Sequence, residues 1–293
     1  MKVVIDFDNT FFTPQRDIDD GLALLYLLGS PEVEVIGITG TYGNSLIDIV
    51  TQNTHRLLQT LGREEIPYFA GGRMIGDYDN PASHQLVQWV RTYPGELAIV
   101  ATGSLTNLWG AGLMDPTFFS QVKQIVLMGG KTAPLQFQKQ EMQELNFSCD
   151  PVASFHVLTE TPNLAIMTGN HCLDLPFTED HYEAHFGRYQ NRHVVQLIER
   201  YSEGWFQDNR DIYGIDGFYN WDTLAASYLV HLEYFQEEWL HSTLSVEGLT
   251  HGWLTTEVGA NGLQQSVSLN LPRVKEAETL RGHIYNTWLQ VDF

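Results

Sequence analysis

Basic residues are scarce in this chain of 293 residues. Lys and Arg number 16 against 36 Asp and Glu, which gives a formal net charge of −20. An acidic excess of this size disfavours the phosphate backbone of nucleic acids, because proteins bind that backbone through Lys and Arg. The ligand is therefore expected to be small, and polyanionic only if a metal ion accompanies it.

Cysteine is nearly absent as well, since Cys149 and Cys172 are the only two. Two cysteines are too few for a disulfide framework or a cysteine zinc site, so a reducing compartment fits. No apolar run approaches the roughly 18 to 20 residues of a membrane span, and the start of the chain has no signal-peptide core. These absences predict a cytoplasmic protein with no membrane partner.

Linkers rich in Pro, Gly or Ser, repeats and low-complexity tracts are also missing. Because 43% of the residues are hydrophobic, the chain can bury a substantial core, and we expect one domain over residues 1–293. Strand and helix patterns alternate through about the first 170 residues, which is typical of a parallel sheet wound by right-handed crossovers. The sequence predicts an α/β fold with a mostly parallel, open sheet and a helical carboxyl-terminal portion.

The periodicity of apolar residues places these elements along the chain. The predicted strands are 2–7, 33–41, 96–102, 124–128 and 163–167, with short late strands at 243–246 and 265–271. The predicted helices are 22–28, 46–61, 81–92, 151–158, 191–207, 221–232 and 275–290.

Four acids surround the end of the first predicted strand. Asp6 and Asp8 alternate at its carboxyl end, and Asp19 and Asp20 lie at the amino terminus of the helix predicted at 22–28. Open α/β sheets bind ligands at the carboxyl ends of their strands, and acids are favoured at a helix amino terminus. Carboxylates so close together repel unless a cation neutralises them, and Arg16 is the one basic residue in this segment. We therefore expect a hard divalent ion with oxygen ligands, Ca²⁺ or Mg²⁺.

Two enzyme families share features of this acidic segment. Taken alone, residues 6–10 resemble the D-x-D-x-T signature of the haloacid dehalogenase-like phosphohydrolases. That resemblance implies Asp6 as the nucleophile, Asp8 as the general acid and base, and Mg²⁺ as the cofactor. The later lysine of that family has only Lys131 as a candidate. Release of inorganic phosphate rather than a reducing sugar would identify this alternative.

The chain as a whole resembles the inosine-uridine-type nucleoside hydrolases, whose signature is D-x-D-P-G-x-D-D. The four acids follow this signature, although the stretch Asn9 to Asp17 replaces its tight Pro-Gly turn. The other matches, in chain order, are Gly43-Asn44, residues 101–107 for T-G-P-L-T-N, residues 125–130 for I-V-x-M-G-G, Glu144-Leu145-Asn146 with Asp150-Pro151 for E-F-N…D-P, and Trp221-Asp222. They extend over roughly residues 3–232, so an accidental coincidence is a poor explanation.

The resemblance implies an enzyme that hydrolyses the N-glycosidic bond of ribonucleosides, with a role in purine salvage. It also implies a homo-oligomer, either a dimer or a tetramer. The implied Ca²⁺ ligands are Asp8, Asp20, the main-chain carbonyl of Thr102 and Asp222, and Asp8 is the implied general base. The implied substrate-binding residues are Asp19, Asn44, Met128, Glu144, Asn146 and Trp221.

Trp221 stands where many members of this family have a His that acts as an acid for the leaving base. Residues 216–222 resemble the purine-specific branch, which prefers inosine, adenosine and guanosine and in which a stacked Trp helps the purine accept a proton from solvent. A π face within about 6 Å favours a protonated base by roughly 0.5 to 2 kcal/mol. Trp221 is therefore predicted to be catalytic as well as substrate-binding. Tyr78 is the candidate for a second stacking face.

Two alternatives stay open at this point. Trp221 could pack the start of its helix and nothing more. A nucleoside-binding protein without turnover is compatible with the absent His and with Ser104, which stands where the family signature has Pro.

Overall fold

The computed structural model describes residues 1–255 and 262–293. Its strands, in chain order, are β1 (Lys2–Phe7), β2 (Glu34–Gly40), β3 (Tyr68–Ala70), β4 (Leu97–Ala101), β5 (Gln124–Met128), β6 (Leu135–Gln136), β7 (Glu141–Met142), β8 (Leu164–Met167), β9 (Pro176–Phe177), β10 (Phe218–Tyr219), β11 (Phe235–Gln236), β12 (Trp239–Ser245), β13 (Gln264–Asn270) and β14 (Arg273–Val274).

Its helices are α1 (Asp19–Gly29), α2 (Ile47–Thr60), α3 (Pro81–Thr92), α4 (Thr106–Met114), α5 (Phe118–Gln121), α6 (Pro151–Glu160), α7 (Gly169–Cys172), α8 (Glu179–Phe186), α9 (His193–Ile212), α10 (Trp221–Val230), α11 (Val246–Leu249) and α12 (Ala277–Trp288). A short 3-10 helix spans Leu232–Tyr234. Within the described ranges, every helix is too short or too polar to cross a lipid bilayer.

A central sheet of eight strands runs in the order β12-β13-β8-β5-β4-β1-β2-β3. Its neighbours pair in parallel except for β12 and β13, which are antiparallel. β1 has β2 on one side and β4 on the other, so the winding reverses direction at this strand. A reversal of this kind opens a crevice outside the carboxyl ends of the strands. The fold therefore places its crevice beside the acids that follow β1.

Alternate residues of β1 belong to two separate cores, one on each face of the sheet. Val3, Ile5 and Phe7 pack into a core formed with α1, α2, α9, α10 and α12. Val4 packs into the other core, with α3, α4, α5 and α6. This alternation follows from the two-residue period of a strand. The result is a three-layer α/β arrangement, as the sequence predicts.

The carboxyl-terminal helix α12 fixes the position of α1. The indole Nε1 of Trp288 donates a hydrogen bond of 2.9 Å to the carbonyl of Leu22, and both residues are buried. At the other end of α1, a Cβ on Gly29 would lie 2.1 Å from the Thr287 carbonyl oxygen. The close approach requires glycine at this position. Because α1 begins with Asp19 and Asp20, α12 contributes indirectly to the geometry of the acids.

The predicted strands at 2–7 and 124–128 match the structure to the residue, and most others are shifted by one or two positions at an end. The strand predicted at 243–246 begins earlier, at Trp239, and the helix predicted at 191–207 continues to Ile212. α4 was not predicted as a helix. It is buried on most sides and contains two glycines, so it lacks the polar face that marks a surface helix.

Candidate active site

Acids from distant parts of the chain meet beside the end of β1. Asp8 follows the strand, Asp19 and Asp20 begin α1, and Asp222 lies in the first turn of α10. The backbone N–H of Asp222 donates to Oδ2 of Asp19 at 3.3 Å, across 203 positions of sequence. All four side chains are buried. The packing of α1 against α10 therefore builds the acidic site.

Three of these acids form a group that fits a metal ion. One carboxylate oxygen from each of Asp19, Asp20 and Asp222 lies within 4.8 Å of the other two. The Thr102 hydroxyl donates to Oδ1 of Asp20 at 2.8 Å, but Oδ2 of Asp20 is buried and has no hydrogen-bond partner among the described residues. A buried carboxylate oxygen without a donor is costly unless a cation neutralises it. A donor set of carboxylate oxygens suits a hard ion such as Ca²⁺ or Mg²⁺.

The raised pKa values of these three acids also favour a bound cation. Burial raises the pKa of Asp20 well above its usual range, and the charge of Asp8 raises it further. Burial and then the charges of neighbouring acids also raise the pKa values of Asp19 and Asp222. A cation favours the ionised forms, so binding of a metal ion here would release protons.

Asp8 lies outside this group of three oxygens and is held by Asn44. The backbone N–H of Asn44 donates to Oδ2 of Asp8 at 2.7 Å, and its side-chain amide donates to Oδ1 at 3.1 Å. Burial raises the pKa of Asp8 to about 6, and the hydrogen bonds from Asn44 limit the rise. A carboxylate that titrates near neutral pH has the property required of a general base.

Gly43 leaves room for the Asp8 carboxylate, and this contact gives a first prediction. A Cβ on Gly43 would lie 1.9 Å from Oδ2 of Asp8, so Gly43→Ala must displace the carboxylate. We expect kcat to fall by about 100-fold, since small displacements of catalytic groups have effects of this size. Gly282→Ala is the matched control, because a Cβ on Gly282 meets no atom within 4 Å. Equal activity of the two variants in a steady-state assay would contradict the predicted role of Asp8 as the general base.

Three of the predicted substrate-binding residues, Met128, Glu144 and Asn146, lie on two segments that hydrogen bonds join. Glu144 accepts bonds from the backbone N–H groups of Gly130, Phe147 and Ser148, at 3.1, 2.8 and 3.0 Å. The side-chain amide of Asn146 donates to the Met128 carbonyl at 3.1 Å. Glu144 therefore fixes the two segments that carry Met128 and Asn146.

A cavity of about 310 Å³ brings most of the predicted site together. The volume is near the lower end of small-molecule sites. The predicted residues that line the cavity are Asp19, Asn44, Thr102, Met128, Glu144, Asn146, Trp221 and Asp222. Asp8 and Asp20 are buried and do not line it.

Two groups of cavity residues were missed at the sequence level. Gln15, Arg16 and Asp17 come from the loop before α1, and Trp205, Ile212 and Tyr213 come from α9. Positions 205, 212 and 213 share one face of a helix, so helical spacing contained a signal. That signal is hard to separate from ordinary core packing.

Aromatic side chains from two helices line the cavity. Trp221 begins α10 and its ring centroid lies 5.0 Å from that of Tyr219. Trp205 also lines the cavity, and its indole Nε1 is buried without a hydrogen-bond partner in the described part of the chain. Tyr78 lies elsewhere, with its hydroxyl donating to Asp150 at 3.2 Å. Trp205 is thus the better candidate for a second stacking face.

Asp6 does not have the position of a nucleophile. Its Oδ1 accepts hydrogen bonds from Thr39 at 2.6 Å and Asn107 at 2.8 Å, and the residue is fully buried and does not line the cavity. Burial raises the pKa of Asp6 to about 7, against the effect of these donors. Asp8 is equally buried, so burial alone does not separate the two acids. The hydrogen bonds from Thr39 and Asn107 tie Asp6 to β2 and α4, which fits a structural role better than that of the nucleophile in the phosphohydrolase alternative.

Comparison with known proteins identifies relatives of this chain. Residues 3–275 match the family described as inosine-uridine preferring nucleoside hydrolase. A probable uridine nucleosidase 1 of Oryza sativa subsp. japonica is 27% identical over 263 residues, which are 80% of this chain and 78% of that protein. The inosine-uridine preferring nucleoside hydrolase of Crithidia fasciculata is 26% identical over 55% of this chain and 57% of its own length.

Solved structures share the fold over the whole chain. The purine-preferring ribonucleoside hydrolase from Gardnerella vaginalis has a TM-score of 0.79 at 22% identity, and the match covers 99% of this chain and 98% of that one. A plant nucleoside hydrolase has the same TM-score at 24% identity, covering 98% of both chains.

Proposed function

This chain belongs to the inosine-uridine preferring nucleoside hydrolase family, and from that premise we propose that it hydrolyses purine ribonucleosides with the help of Ca²⁺. Family membership makes it an enzyme that cleaves the N-glycosidic bond of nucleosides. The observation that carries the proposal is the group formed by Asp19, Asp20 and Asp222. It lies beside a cavity lined by polar and aromatic side chains.

The residues proposed to hold Ca²⁺ are Asp20, Asp222, the Thr102 carbonyl and Asp8. Asp19 lies in the same group of three oxygens, so it is available both to the ion and to the ribose. When bound, Ca²⁺ supplies a positive charge that lowers the pKa of water at the site. Oδ2 of Asp20 is buried and has no hydrogen-bond partner among the described residues, which supports Asp20 as a ligand of the ion.

Asp8 is proposed to accept the proton of the attacking water. Oxygen of that water then bonds to the anomeric carbon while the C–N bond breaks and its electron pair passes to the base. The ribose passes through an oxocarbenium-like state, as in glycoside hydrolysis. Carboxylates around the ribose stabilise the developing positive charge, so the acidity of the site favours the reaction.

Polar residues on the cavity wall are proposed to orient the ribose. Asn44, Glu144 and Asn146 supply amide and carboxylate groups that suit sugar hydroxyls. Met128 presents its sulfur beside the amide of Asn146 at 3.3 Å, so it packs at the same wall.

The purine preference is supported by the two indoles of the cavity. Trp221 and Trp205 offer large aromatic faces, and a purine buries more ring surface against them than a pyrimidine does. Trp221 would also favour a protonated purine through a cation–π contact, worth about 0.5 to 2 kcal/mol. The second candidate is uridine, because the Oryza relative is described as a probable uridine nucleosidase.

A nucleoside panel tests the preference. We expect kcat/KM for inosine and guanosine to exceed that for uridine and cytidine by about 10-fold. We expect Trp221→Ala to lower inosine turnover by about 10-fold, or 1.4 kcal/mol, since aromatic stacking contributes about 0.5 to 1.5 kcal/mol. Trp239→Ala is the control, because Trp239 is exposed on β12 and does not line the cavity. Free ribose is the quantity to measure. Faster cleavage of uridine than inosine would replace the purine assignment with the pyrimidine one.

Three further features of the proposal come from the sequence and from the family resemblance. They are a single domain over residues 1–293, a cytoplasmic location and a homo-oligomer of two or four chains. Ligands from both α1 and α10 support the single domain, since the ion site needs both halves of the chain.

A further inference from the structure

The loop between β1 and α1 carries Arg16 to the cavity, where it is the one basic residue among the described residues of the wall. We propose that Arg16 recognises the O6/N7 edge of 6-oxopurine bases, so that the enzyme prefers inosine and guanosine to adenosine. This inference rests on the proposed nucleoside hydrolysis and specifies the base that the site accepts.

Hydrogen bonds hold the loop at both sides of its tip. The Thr10 hydroxyl donates to the Asp17 carbonyl at 2.8 Å and closes the neck of the loop. The Phe12 N–H donates to Oδ1 of Asn53 at 2.8 Å, and the Asn53 amide donates to the Thr13 hydroxyl at 3.1 Å. Residues 14–16 are thus a short tip between fixed ends.

The backbone of the tip is itself restricted. Pro14 has a fixed φ, and Gln15 adopts a φ of 58°, the left-handed region that non-glycine residues rarely occupy. Asp17, the next residue after Arg16, accepts a hydrogen bond from the backbone N–H of Asp19 at 3.1 Å. Arg16 therefore starts from a backbone position next to the acidic group.

Aromatic packing fixes the same loop to α9. The ring centroids of Phe11 and Phe12 lie 5.4 and 4.9 Å from that of Tyr201, and the Arg56 guanidinium lies 4.1 Å from the centre of the Phe12 ring. Tyr201 is one helical turn before Trp205 on α9. The loop that carries Arg16 and the aromatic wall of the cavity are therefore attached to one helix.

The guanidinium of Arg16 is available for a ligand. In the described part of the chain it makes no hydrogen bond or ion pair, whereas Arg56 is occupied by Phe12 and the Tyr201 hydroxyl. The other charged residues of the cavity wall are all acidic: Asp17, Asp19, Glu144 and Asp222. A cation among these acids suits a part of the substrate that carries only acceptors, whereas the acids suit the donor hydroxyls of the ribose.

The fork of a guanidinium matches two acceptors on one side of a planar ring. A 6-oxopurine offers O6 and N7 in this arrangement, which is the contact Arg makes with guanine in nucleic acids, whereas adenine has an amino donor at position 6. When the C–N bond breaks, its electron pair enters the base, and a charged donor at O6 and N7 stabilises that negative charge in place of a proton on N7. The cation–π effect of Trp221 therefore applies to adenosine. Adenosine keeps N7 open to a proton from solvent.

The test compares inosine and adenosine in wild-type enzyme, Arg16→Gln and Arg16→Lys. We expect Arg16→Gln to lower kcat/KM for inosine by about 10-fold and to change adenosine by less than twofold, since a bidentate contact discriminates by about this factor or more. Arg16→Lys should fall between, because an ammonium cannot make the paired contact. Arg73→Gln is the control, as Arg73 is exposed, pairs with Asp48 and does not line the cavity.

The outcomes separate this inference from the proposed function. Equal losses on inosine and adenosine would mean that Arg16 only supports the loop, and no loss on either would mean that it does not touch the base; both overturn the inference. Wild-type enzyme that cleaves no nucleoside overturns the proposed function instead. Calorimetric binding of inosine and adenosine then decides the inference, and an inosine preference retained in Arg16→Gln would refute it.

Discussion

Asp8→Asn is expected to lower kcat by about 1,000-fold, because a positioned general base contributes roughly 100- to 10,000-fold to a rate. The substitution keeps the size of the side chain but removes the charge and the proton acceptor. Asn44 donates to both oxygens of Asp8, so one of these bonds is also lost. The measurement is release of ribose from a saturating nucleoside.

Asp48→Asn is the matched control for this experiment, since Asp48 is an exposed acid on α2 whose partner is Arg73. Thermal unfolding with and without Ca²⁺ shows whether Asp8→Asn remains folded and still responds to the ion. If a folded Asp8→Asn enzyme keeps more than about a tenth of wild-type turnover, a loss of less than 1.4 kcal/mol, then Asp8 is not the general base.

Removal of metal is expected to have the second large effect, on both activity and stability. Chelation should reduce turnover below about a hundredth, because the proposed ion lowers the pKa of the attacking water and neutralises the buried Asp20 and Asp222. Ca²⁺ at about 100 times its dissociation constant adds roughly 2.7 kcal/mol of stability. For a chain of this size that shifts the Tm upward by about 4 to 5 °C.

The stability of the protein without metal should also fall as the pH rises. The folded-state pKa of Asp8 is raised to about 6 and that of Asp6 to about 7, and those of Asp19, Asp20 and Asp222 are raised as well. A raised carboxylate pKa favours the folded state below the unfolded value of about 3.9, and this advantage is lost as pH rises through the folded value. The Tm of the protein in the presence of chelator should therefore fall between pH 5 and pH 8.

Differential scanning fluorimetry at pH 5, 6.5 and 8 measures this effect with chelator, Ca²⁺ or Mg²⁺. We expect the benefit of Ca²⁺ to grow with pH, since the ion needs ionised ligands. A chelated protein with the same Tm as the Ca²⁺ form at pH 8 would rule out a metal site at these acids. A larger effect of Mg²⁺ would keep the site and change the metal.

The sequence predicts the fold and the acidic centre because both depend on local patterns. β1 is a continuous apolar strand followed by acids, and α1 begins with two more, so each motif identifies its own element. The membership of Asp222 in the same group was supplied by the family resemblance. No local pattern predicts that α10 would pack beside α1, since the contact joins residues 203 positions apart.

The part of the cavity wall that α9 and the loop before α1 form was not found by sequence reasoning. Trp205 and Tyr213 on α9 resemble core residues in spacing and composition, and only the tertiary structure shows that they line the cavity. Arg16 was noted as a lone cation, but its place on the cavity wall depends on Asn53 and on Tyr201. The assignment of Asp8 rather than Asp19 to the metal remains a prediction, because Asp19 is the acid in the group of three oxygens.

The pairing of α1 with α10 has a consequence for biosynthesis. A nascent chain that has not reached Asp222 contains only Asp19 and Asp20 of the three acids, so the proposed ion site is incomplete until α10 has been synthesised. Trp288, which donates to the carbonyl of Leu22, emerges later still. If the proposed ion binds there, it can bind only after α10 has been made and has packed against α1, and a chain terminated before Asp222 would lack one of its ligands.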